Sequence, residues 1–375
     1  MEAVITATMA PDPGELRLDF DSYLPILDNP SPPSQEGEPL ISGLGDRAEF
    51  PKRNDPTTGL LDRAYVIDQA VAAVASAHLR EDRVALLLVD VDNFGKLDEW
   101  RDCSASDAAP SIVAQRISDA VTPGDVIGRL RGDQFLIVLP HCRQLSAAAL
   151  TAGRVLQALL SLHGERIEAG ASVGISMYPQ DGDTLHDLLA GARTALHDAK
   201  SAGRGRFSLA PASREIALMI GKLLLRDEDR IGIPEVDAEH LSLVEKMNAL
   251  GRAVQDNAPA PQLRSRLEDM MLLLASHAVA EGEAMFRHPA ADDAAHRADL
   301  VRVLHDLEIL TAGQGRDCLA IAARFAYEWF GDHIHTFDRA LALRARRKRQ
   351  LPIDDPLSLR CASQGSAQAR AGSMS

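Results

Sequence analysis

The spacing of apolar residues divides the chain into two regions. From residue 64 to residue 207, short continuous apolar runs alternate with stretches in which apolar residues recur every three or four positions. A continuous run is typical of a strand buried on both faces, and the longer period indicates a helix. The predicted strands are 84–89, 126–130, 135–139 and 169–177, and the first predicted helix is 64–78. We therefore predict an α/β domain whose central sheet is covered by flanking helices.

The second region, beyond residue 229, has a helical period and contains a set of histidines and carboxylates. His277 and Glu281 are four residues apart, so they share one face of a helix. Ligands that converge from four helices form paired metal sites in bundle cores, and mixed imidazole and carboxylate ligands favour iron or manganese. We therefore predict an all-α four-helix up-down bundle around a metal site; the alternative is a set of surface or capped histidines. The candidate ligands are His240, His277, Glu281, His296, His333 and Asp338.

Composition sets the outer boundaries of these regions. Residues 1–50 are rich in Pro, Asp, Glu, Ser and Gly, and they cannot bury enough apolar surface to offset the entropy of ordering. We expect a disordered arm at 1–50, the α/β domain at 51–209, a helical connector at 210–228, the bundle at 229–343 and a basic, then disordered, tail at 344–375. The basic run 344–349 is either a site for an anionic partner or a solvated helix end.

Charge and cysteine content exclude several classes of function. The formal net charge of −14 argues against binding to nucleic acid or to an anionic membrane. The four cysteines have no paired spacing, which is typical of a reducing cytosol. The sequence has neither an apolar stretch of about 18 residues nor the basic start of a signal peptide. We therefore expect a cytoplasmic protein.

Three motifs of the α/β region occur in the order found in one known family. They are Asp55-Pro-Thr-Thr-Gly59, Asp90-Val91-Asp92 and Arg131-Gly132-Asp133-Gln134-Phe135. From about residue 55 to residue 207 the chain resembles the GGDEF family, the diguanylate cyclases that condense two GTP molecules into cyclic di-GMP. The resemblance implies a nucleotide-cyclase-like fold, GTP or cyclic di-GMP as ligand, and a homodimer, since each of two facing subunits contributes one bound GTP.

The same resemblance assigns roles to individual residues. The Asp90 carboxylate, the Val91 carbonyl and the Asp133 carboxylate would hold Mg²⁺ against the triphosphate. Asp107 matches a guanine-binding Asp, and Asp98 replaces a guanine-binding Asn. The residues that match phosphate-binding positions are Lys200 and Arg204, and the catalytic turn consists of Arg131, Gly132, Asp133 and Gln134.

Two residues of this turn depart from the family pattern. Arg131 replaces a Gly that lets the backbone approach phosphate closely, although a guanidinium can itself pair with phosphate. Gln134 replaces a Glu, and an amide neither acts as a base nor carries charge at a metal. We therefore expect GTP binding rather than efficient turnover. The alternative for Asp90 and Asp133 is that they are leftover strand-end and turn residues without a metal.

The histidine-rich region resembles the bacterial members of the hemerythrin-like family. The resemblance covers about residues 226–342, and its motifs lie at 232–240, 277–285 and 329–338. That family has a second histidine four residues after the position of His296, where this chain has Leu300. Six of the seven family ligands remain, which implies one or two non-haem irons. The missing imidazole would open a coordination position, weaken one iron or leave a single-metal site.

The two resemblances together imply a cyclic di-GMP signalling protein. In this interpretation an iron site senses O₂ or a redox signal and regulates a GGDEF domain of impaired activity. One alternative is a non-enzymatic regulator that binds GTP or a partner protein. Another is an iron or oxygen storage protein.

Overall fold

The computed structural model describes residues 53–92, 109–160, 170–313 and 315–350. The chain divides after Ser213 into two compact units. Within the described ranges no helix is both long and apolar enough to cross a membrane. The predicted guanine contacts Asp98 and Asp107 lie outside the described residues, as do the predicted arm 1–50 and residues 351–375.

The first unit contains a five-stranded sheet with strand order β2-β3-β1-β4-β5, antiparallel except for the β4–β5 pair. Helices α1 and α4 pack on the sheet, α3 contacts β1 and β4, and α2 packs on α3. The α/β prediction is therefore confirmed. The strands are β1 Val84–Asp92, β2 Val126–Arg131, β3 Gln134–Pro140, β4 Gly170–Tyr178 and β5 Phe207–Leu209. The helices are α1 Arg63–Arg80, α2 Ala109–Ala120, α3 Leu145–Leu160 and α4 Leu185–Ser201.

Strand β1 lies at the centre of this sheet, and all nine of its residues are buried. Val84, Leu86 and Leu88 pack in one core cluster with α1 and α4. Side chains alternate between the two faces of a strand, so the intervening residues of β1 face the other side. This double burial explains the continuous apolar run, and it holds the carboxylates at the end of β1 in a fixed position beside β3.

The second unit begins within α5 (Pro211–Leu218) and contains four long helices. Helix α6 contacts α7 and α9, and α8 also contacts α7 and α9, so the four helices pack side by side. Pro234 occupies the first turn of α6, where a missing backbone N–H costs no hydrogen bond. The remaining elements are α6 Pro234–Gln255, α7 Ala260–Arg287, α8 Asp293–Ala312, α9 Arg316–His333, a π-helical turn Ile334–Asp338 and α10 Arg339–Gln350.

The connector is less helical than its sequence predicts, because its helix ends at Leu218. Beyond that residue, side chains of the long helices bind the connector backbone. Gln255 donates to the carbonyl of Ile220 at 2.7 Å, and Asn248 both donates to Leu223 and accepts from it. These side-chain bonds take the place of helical hydrogen bonds, and they hold this segment on the second unit.

The boundary predicted at residue 343 falls inside α10. Arg344, the first residue of the basic run, pairs with Asp292 at 2.6 Å and with Asp293 at 3.2 Å. Both carboxylates lie at the start of α8, so Arg344 forms part of the packed unit.

Candidate nucleotide site and metal centre

The β2–β3 turn lies directly beside the carboxylates at the end of β1. In the sheet Asp90 is opposite Gln134, and the Val91 N–H donates to the carbonyl of Asp133 at 3.0 Å. Gly132 has φ of +38°, a backbone conformation that favours glycine at the tip of a tight turn. The structure therefore brings together the residues for which the sequence predicts a magnesium site and a catalytic turn.

Both oxygens of the buried Asp90 carboxylate already have partners. The Lys200 ammonium lies 2.6 Å from Oδ1, and the Gln134 amide donates to Oδ2 at 3.0 Å. Arg131 in turn donates to Oε1 of Gln134 at 3.0 Å. The two residues that depart from the family signature thus form one chain of contacts with Asp90. A Glu at position 134 could accept from Arg131, but it could not donate to Asp90.

Asp133 provides a second carboxylate at the same place. Burial, and then the negative charge of Asp90, raise the pKa of Asp133. Two carboxylates that disfavour each other's ionisation are stabilised by a shared cation, and hard oxygen ligands suit Mg²⁺. The pair therefore fits Mg²⁺ in ligand type, although binding through Asp90 would require Lys200 or Gln134 to move.

Arg204, the second predicted phosphate ligand, lies by a different carboxylate. Its Nε is 3.6 Å from Oδ1 of the buried Asp92, which also accepts from Ser172 and from the Gly205 N–H. Asp92 thus anchors the segment that carries Arg204. This role was not predicted, although the sequence shows a second acidic residue in Asp90-Val91-Asp92.

The motif at residues 55–59 is connected by hydrogen bonds to the turn at residues 131–134. Asp55 accepts from Thr58 and, at 3.0 Å, from Arg129, while the same guanidinium donates twice to the carbonyl of Gly132. Although burial opposes the shift, these hydrogen bonds lower the pKa of Asp55. Arg129 therefore ties the motif at residue 55 to the turn at residue 132.

The six ligands predicted in the second unit are all buried and lie together. One oxygen of Glu281 faces two imidazoles, with His240 Nε2 at 3.8 Å and His277 Nε2 at 3.5 Å. The other oxygen faces His296 Nε2 at 3.0 Å and His333 Nε2 at 3.3 Å. Glu281 therefore lies between two pairs of imidazoles.

Asp338 contacts three of these four imidazoles. Its Oδ2 is 3.2 Å from His240, and its Oδ1 is 3.7 Å from His296 and 3.4 Å from His333. Two carboxylates thus connect the same two imidazole pairs. These ligand atoms form two groups that could each hold a metal ion, with Glu281 common to both.

Several atoms of this cluster lack hydrogen bonds although they are fully buried. They include both ring nitrogens of His240 and of His277, Oε1 of Glu281 and both oxygens of Asp338. Leaving a buried polar group without a hydrogen bond costs about 1–3 kcal/mol. A cation bound between the imidazoles and the carboxylates would supply the missing interaction, so this donor set fits a metal centre.

The pKa values of the cluster also show that its buried carboxylates favour positively charged neighbours. Burial opposes the shift, but the carboxylates of Asp338 and then Glu281 raise the pKa of His240 to about 9. Asp299, and then Asp338 and Glu281, raise the pKa of His333 to about 11 against the effect of burial. Burial acts to raise the pKa of Glu281, but the neighbouring imidazoles of His240, His296 and His333 hold it well below its usual range.

A π-helical turn brings the last two ligands onto one face. His333 and Asp338 are five residues apart, and in an α-helix they would point about 140° away from each other. The turn Ile334–Asp338 instead has an i→i+5 hydrogen bond, from the Arg339 N–H to the carbonyl of Ile334. The extra residue per turn places the fifth residue nearly above the first, as π-helical turns at functional sites commonly do.

Two further carboxylates, neither of them predicted from the sequence, contact the rings of the predicted ligands from outside the cluster. Asp299 lies 2.9 Å from Nδ1 of His333 and accepts from the Trp329 indole at 2.9 Å. Glu239 is 3.5 Å from Nδ1 of His277. Carboxylates of this kind fix the orientation of metal-binding imidazoles. In the sequence, Asp299 follows the predicted ligand His296 by three residues, and Glu239 directly precedes the predicted ligand His240.

Leu300, where the predicted hemerythrin-like resemblance would have a seventh ligand, is 2% exposed. It follows His296 by four residues on α8 and completes the apolar packing of that face. With Leu300 at this position, each of the two candidate metal groups contains two imidazoles.

Comparison with known proteins identifies the first unit. A family model described as the GGDEF domain of diguanylate cyclases matches residues 53–206. The cyclic di-GMP phosphodiesterase NbdA of Pseudomonas aeruginosa is 32% identical over 40% of this chain and 20% of its own length. The diguanylate cyclase TpbB of the same organism is 28% identical over 48% of this chain and 40% of its own length. The chain thus spans less than half the length of either relative.

Among solved structures, a sensory box/GGDEF family protein from Caulobacter crescentus is 32% identical, with a TM-score of 0.37. The match covers 40% of this chain and 99% of that protein. The family model therefore identifies residues 53–206 of this chain as a GGDEF domain.

Proposed function

We propose that this chain is a cyclic di-GMP signalling protein in which a hemerythrin-like four-helix bundle binds iron and regulates the GGDEF domain. The observation that carries the proposal is the pair of buried carboxylates, Glu281 and Asp338, set between two pairs of imidazoles. Buried carboxylates need a positive partner, and helix-borne imidazoles around them are how bundles bind paired metals.

The six ligands would hold one or two irons, and Asp299 and Glu239 would keep two of the rings in position. Iron bound there would supply redox chemistry and affinity for small oxidants such as O₂. Because every ligand lies on a long helix or on the π turn that follows α9, a shift of one ligand moves the element that bears it. The packing of the bundle would then change with the state of the site.

For the GGDEF domain we infer binding of GTP with little or no synthesis of cyclic di-GMP. Lys200, Arg204 and Arg131 provide positive charge for the phosphates, and Asp90 and Asp133 would hold Mg²⁺. The contacts of Asp90 with Lys200 and Gln134 favour a regulator over an enzyme, since they compete with the metal. No product would form without a second GTP-bearing copy of the domain.

Metal content of the purified protein tests the bundle. After anaerobic reconstitution with ferrous iron, we expect bound iron in the wild type and loss of at least one iron in Glu281→Gln, which keeps the shape but removes the charge. Glu283→Gln is the matched control, because Glu283 is an exposed carboxylate two residues away on the same helix. Wild-type protein that retains no iron would rule out the sensor.

Incubation with GTP and Mg²⁺ in oxidised and reduced protein tests the coupling. Cyclic di-GMP whose yield changes with redox state would indicate a regulated cyclase. Redox-dependent GTP affinity without product is the result we expect, and it would indicate a non-enzymatic regulator. Iron binding with no effect on the nucleotide would contradict regulation and leave a storage role.

A further inference from the structure

Helix α7 has an apolar face on the side opposite its metal ligands. Leu272, Val279 and Phe286 are 72%, 65% and 86% exposed, and they follow one another at intervals of seven residues. Ala275 and Gly282 lie between them on the same face. We call these five residues the α7 stripe. Contiguous exposed apolar surface of this kind marks an interaction site rather than ordinary surface.

The spacing of the α7 stripe is that of a helix–helix seam. Its residues alternate at intervals of three and four, which is the period by which one helix packs along another. Along the stripe, the large residues Leu272, Val279 and Phe286 alternate with two small residues, Ala275 and Gly282. At Gly282 a side chain would meet nothing within 4 Å, and the shallow hollow there is lined by Val279, Phe286 and Arg287.

We propose that the α7 stripe is the surface through which two copies of the chain pair, with their α7 helices antiparallel. In the register that sets Leu272 of one copy opposite Gly282 of the other, Val279 falls opposite Ala275. Both of these pairs join a large residue to a small one, and a two-fold axis repeats each pair, while Phe286 falls beside Glu268 of the other copy. The same helix thus carries both the projections and the hollows that receive them.

The charged residues at the two ends of the stripe favour the same antiparallel register. Glu268 and Arg287 lie at opposite ends of the stripe, and both are exposed. The antiparallel register brings Arg287 of one copy beside Glu268 of the other, whereas a parallel pair would place like charges together. Antiparallel helix dipoles also attract each other. The pairing needs no metal, so it stands or falls independently of the proposed iron site.

Sedimentation of the full chain without nucleotide tests the proposal. We expect a dimer whose dissociation constant rises at least about tenfold in Val279→Glu, since a charge would be buried in the seam. Val301→Glu on α8 is the control, because Val301 is 69% exposed but lies on another helix. A monomeric wild type, or a Val279→Glu protein that pairs as well as the control, would overturn the proposal.

Cross-linking tests the register. In a parent with Ser at positions 103 and 361, we expect a disulfide-linked dimer when differently tagged Leu272→Cys and Gly282→Cys proteins are mixed, but not from either alone. Self-linking of Leu272→Cys would contradict the antiparallel pair. Protection of 272–286 from hydrogen exchange should increase with protein concentration. Protection that does not depend on protein concentration would show that a segment of the same chain covers the stripe, and it would contradict the proposed dimer.

Discussion

At Gln134 a single amide changes how the nucleotide site balances its charge. The amide donates to Asp90, whose other oxygen is held by Lys200, while Arg131 binds the amide oxygen. The family's Glu at this position would add a negative charge close to Asp90 and Asp133. The side chains of this site therefore stabilise one another without a metal. For this reason we expect the domain to bind GTP but to synthesise little cyclic di-GMP.

The double variant Arg131→Gly, Gln134→Glu should make GTP binding more dependent on Mg²⁺. Removing the arginine and adding a carboxylate leaves an excess of negative charge that a divalent cation neutralises. Titration of GTP with and without Mg²⁺ measures the effect, for which we expect about a tenfold change in the ratio of affinities. Gln157→Glu, an exposed position on α3, should leave the ratio unchanged. Equal ratios in all three proteins would contradict the role given to Gln134.

The metal-free second unit should lose stability as the pH rises above 7. The raised pKa values of His240 and His333, about 9 and about 11, mean that the folded state keeps protons that the unfolded state releases near pH 6.5. Their stabilisation is complete below pH 6.5 and disappears as the pH passes those values. The pKa of His277 is lowered by burial, so it titrates below this range.

Thermal unfolding in a chelator at pH 7 and at pH 9.5 measures this change. We expect the midpoint of the second unit to fall by a few degrees. His240→Leu should show a smaller fall, and an unchanged midpoint in the wild type would contradict the protonated state.

Among the elements, helices with regular spacing were predictable and irregular ones were not. The four-residue spacing of His277 and Glu281 was enough to place both on the buried face of α7. The five-residue spacing of His333 and Asp338 required a π turn, which no periodic pattern indicates. The supporting contact of Asp299 was not predicted either, because its three-residue spacing from His296 does not show which ring on the neighbouring helix the carboxylate contacts.

The same limit applies in the sheet. The apolar runs predicted four strands, but the short β5 has only three residues and leaves no periodic signal. The partners of Asp90 and Asp92 depend on which strand and which loop lie beside β1. Residue types thus predicted the two sites, whereas the contacts that modify them depend on tertiary packing.

Contact between β4 and α4 makes Gly174→Ala a strongly destabilising change. A Cβ at Gly174 would lie 2.0 Å from the Ala192 carbonyl oxygen and 2.5 Å from the Leu196 nitrogen, both backbone atoms that cannot move alone. We expect a loss of about 1–3 kcal/mol or more, measured by denaturant unfolding of the GGDEF domain. Gly331→Ala in α9 meets nothing within 4 Å, so it should be neutral or stabilising by about 0.5–1 kcal/mol. A neutral Gly174→Ala would show that the helix can move away from the sheet.

For the molecule as a whole, the division after Ser213 separates two cores with different chemistry. The first buries an apolar sheet and keeps its charged residues at the edge of the sheet. The second buries six ionisable residues, the predicted metal ligands, inside the packing of its helices. A change in the state of those ligands therefore acts on the second core directly. Whether it reaches the nucleotide site is what the redox-dependent GTP experiment measures.

The π turn after α9 also fixes the rotational phase of everything that follows it. Removing one residue from 334–337 would leave His333 and Asp338 four apart, the spacing already used by His277 and Glu281, and would turn α10 by about 100°. Its buried residues would then leave the packed face, and Arg344 would lose the carboxylates at the start of α8. The added residue is thus dispensable for ligand spacing but necessary for the docking of the last helix. One local change in helical pitch thus sets the positions of both Asp338, a predicted metal ligand, and Arg344, the anchor of the chain's basic run.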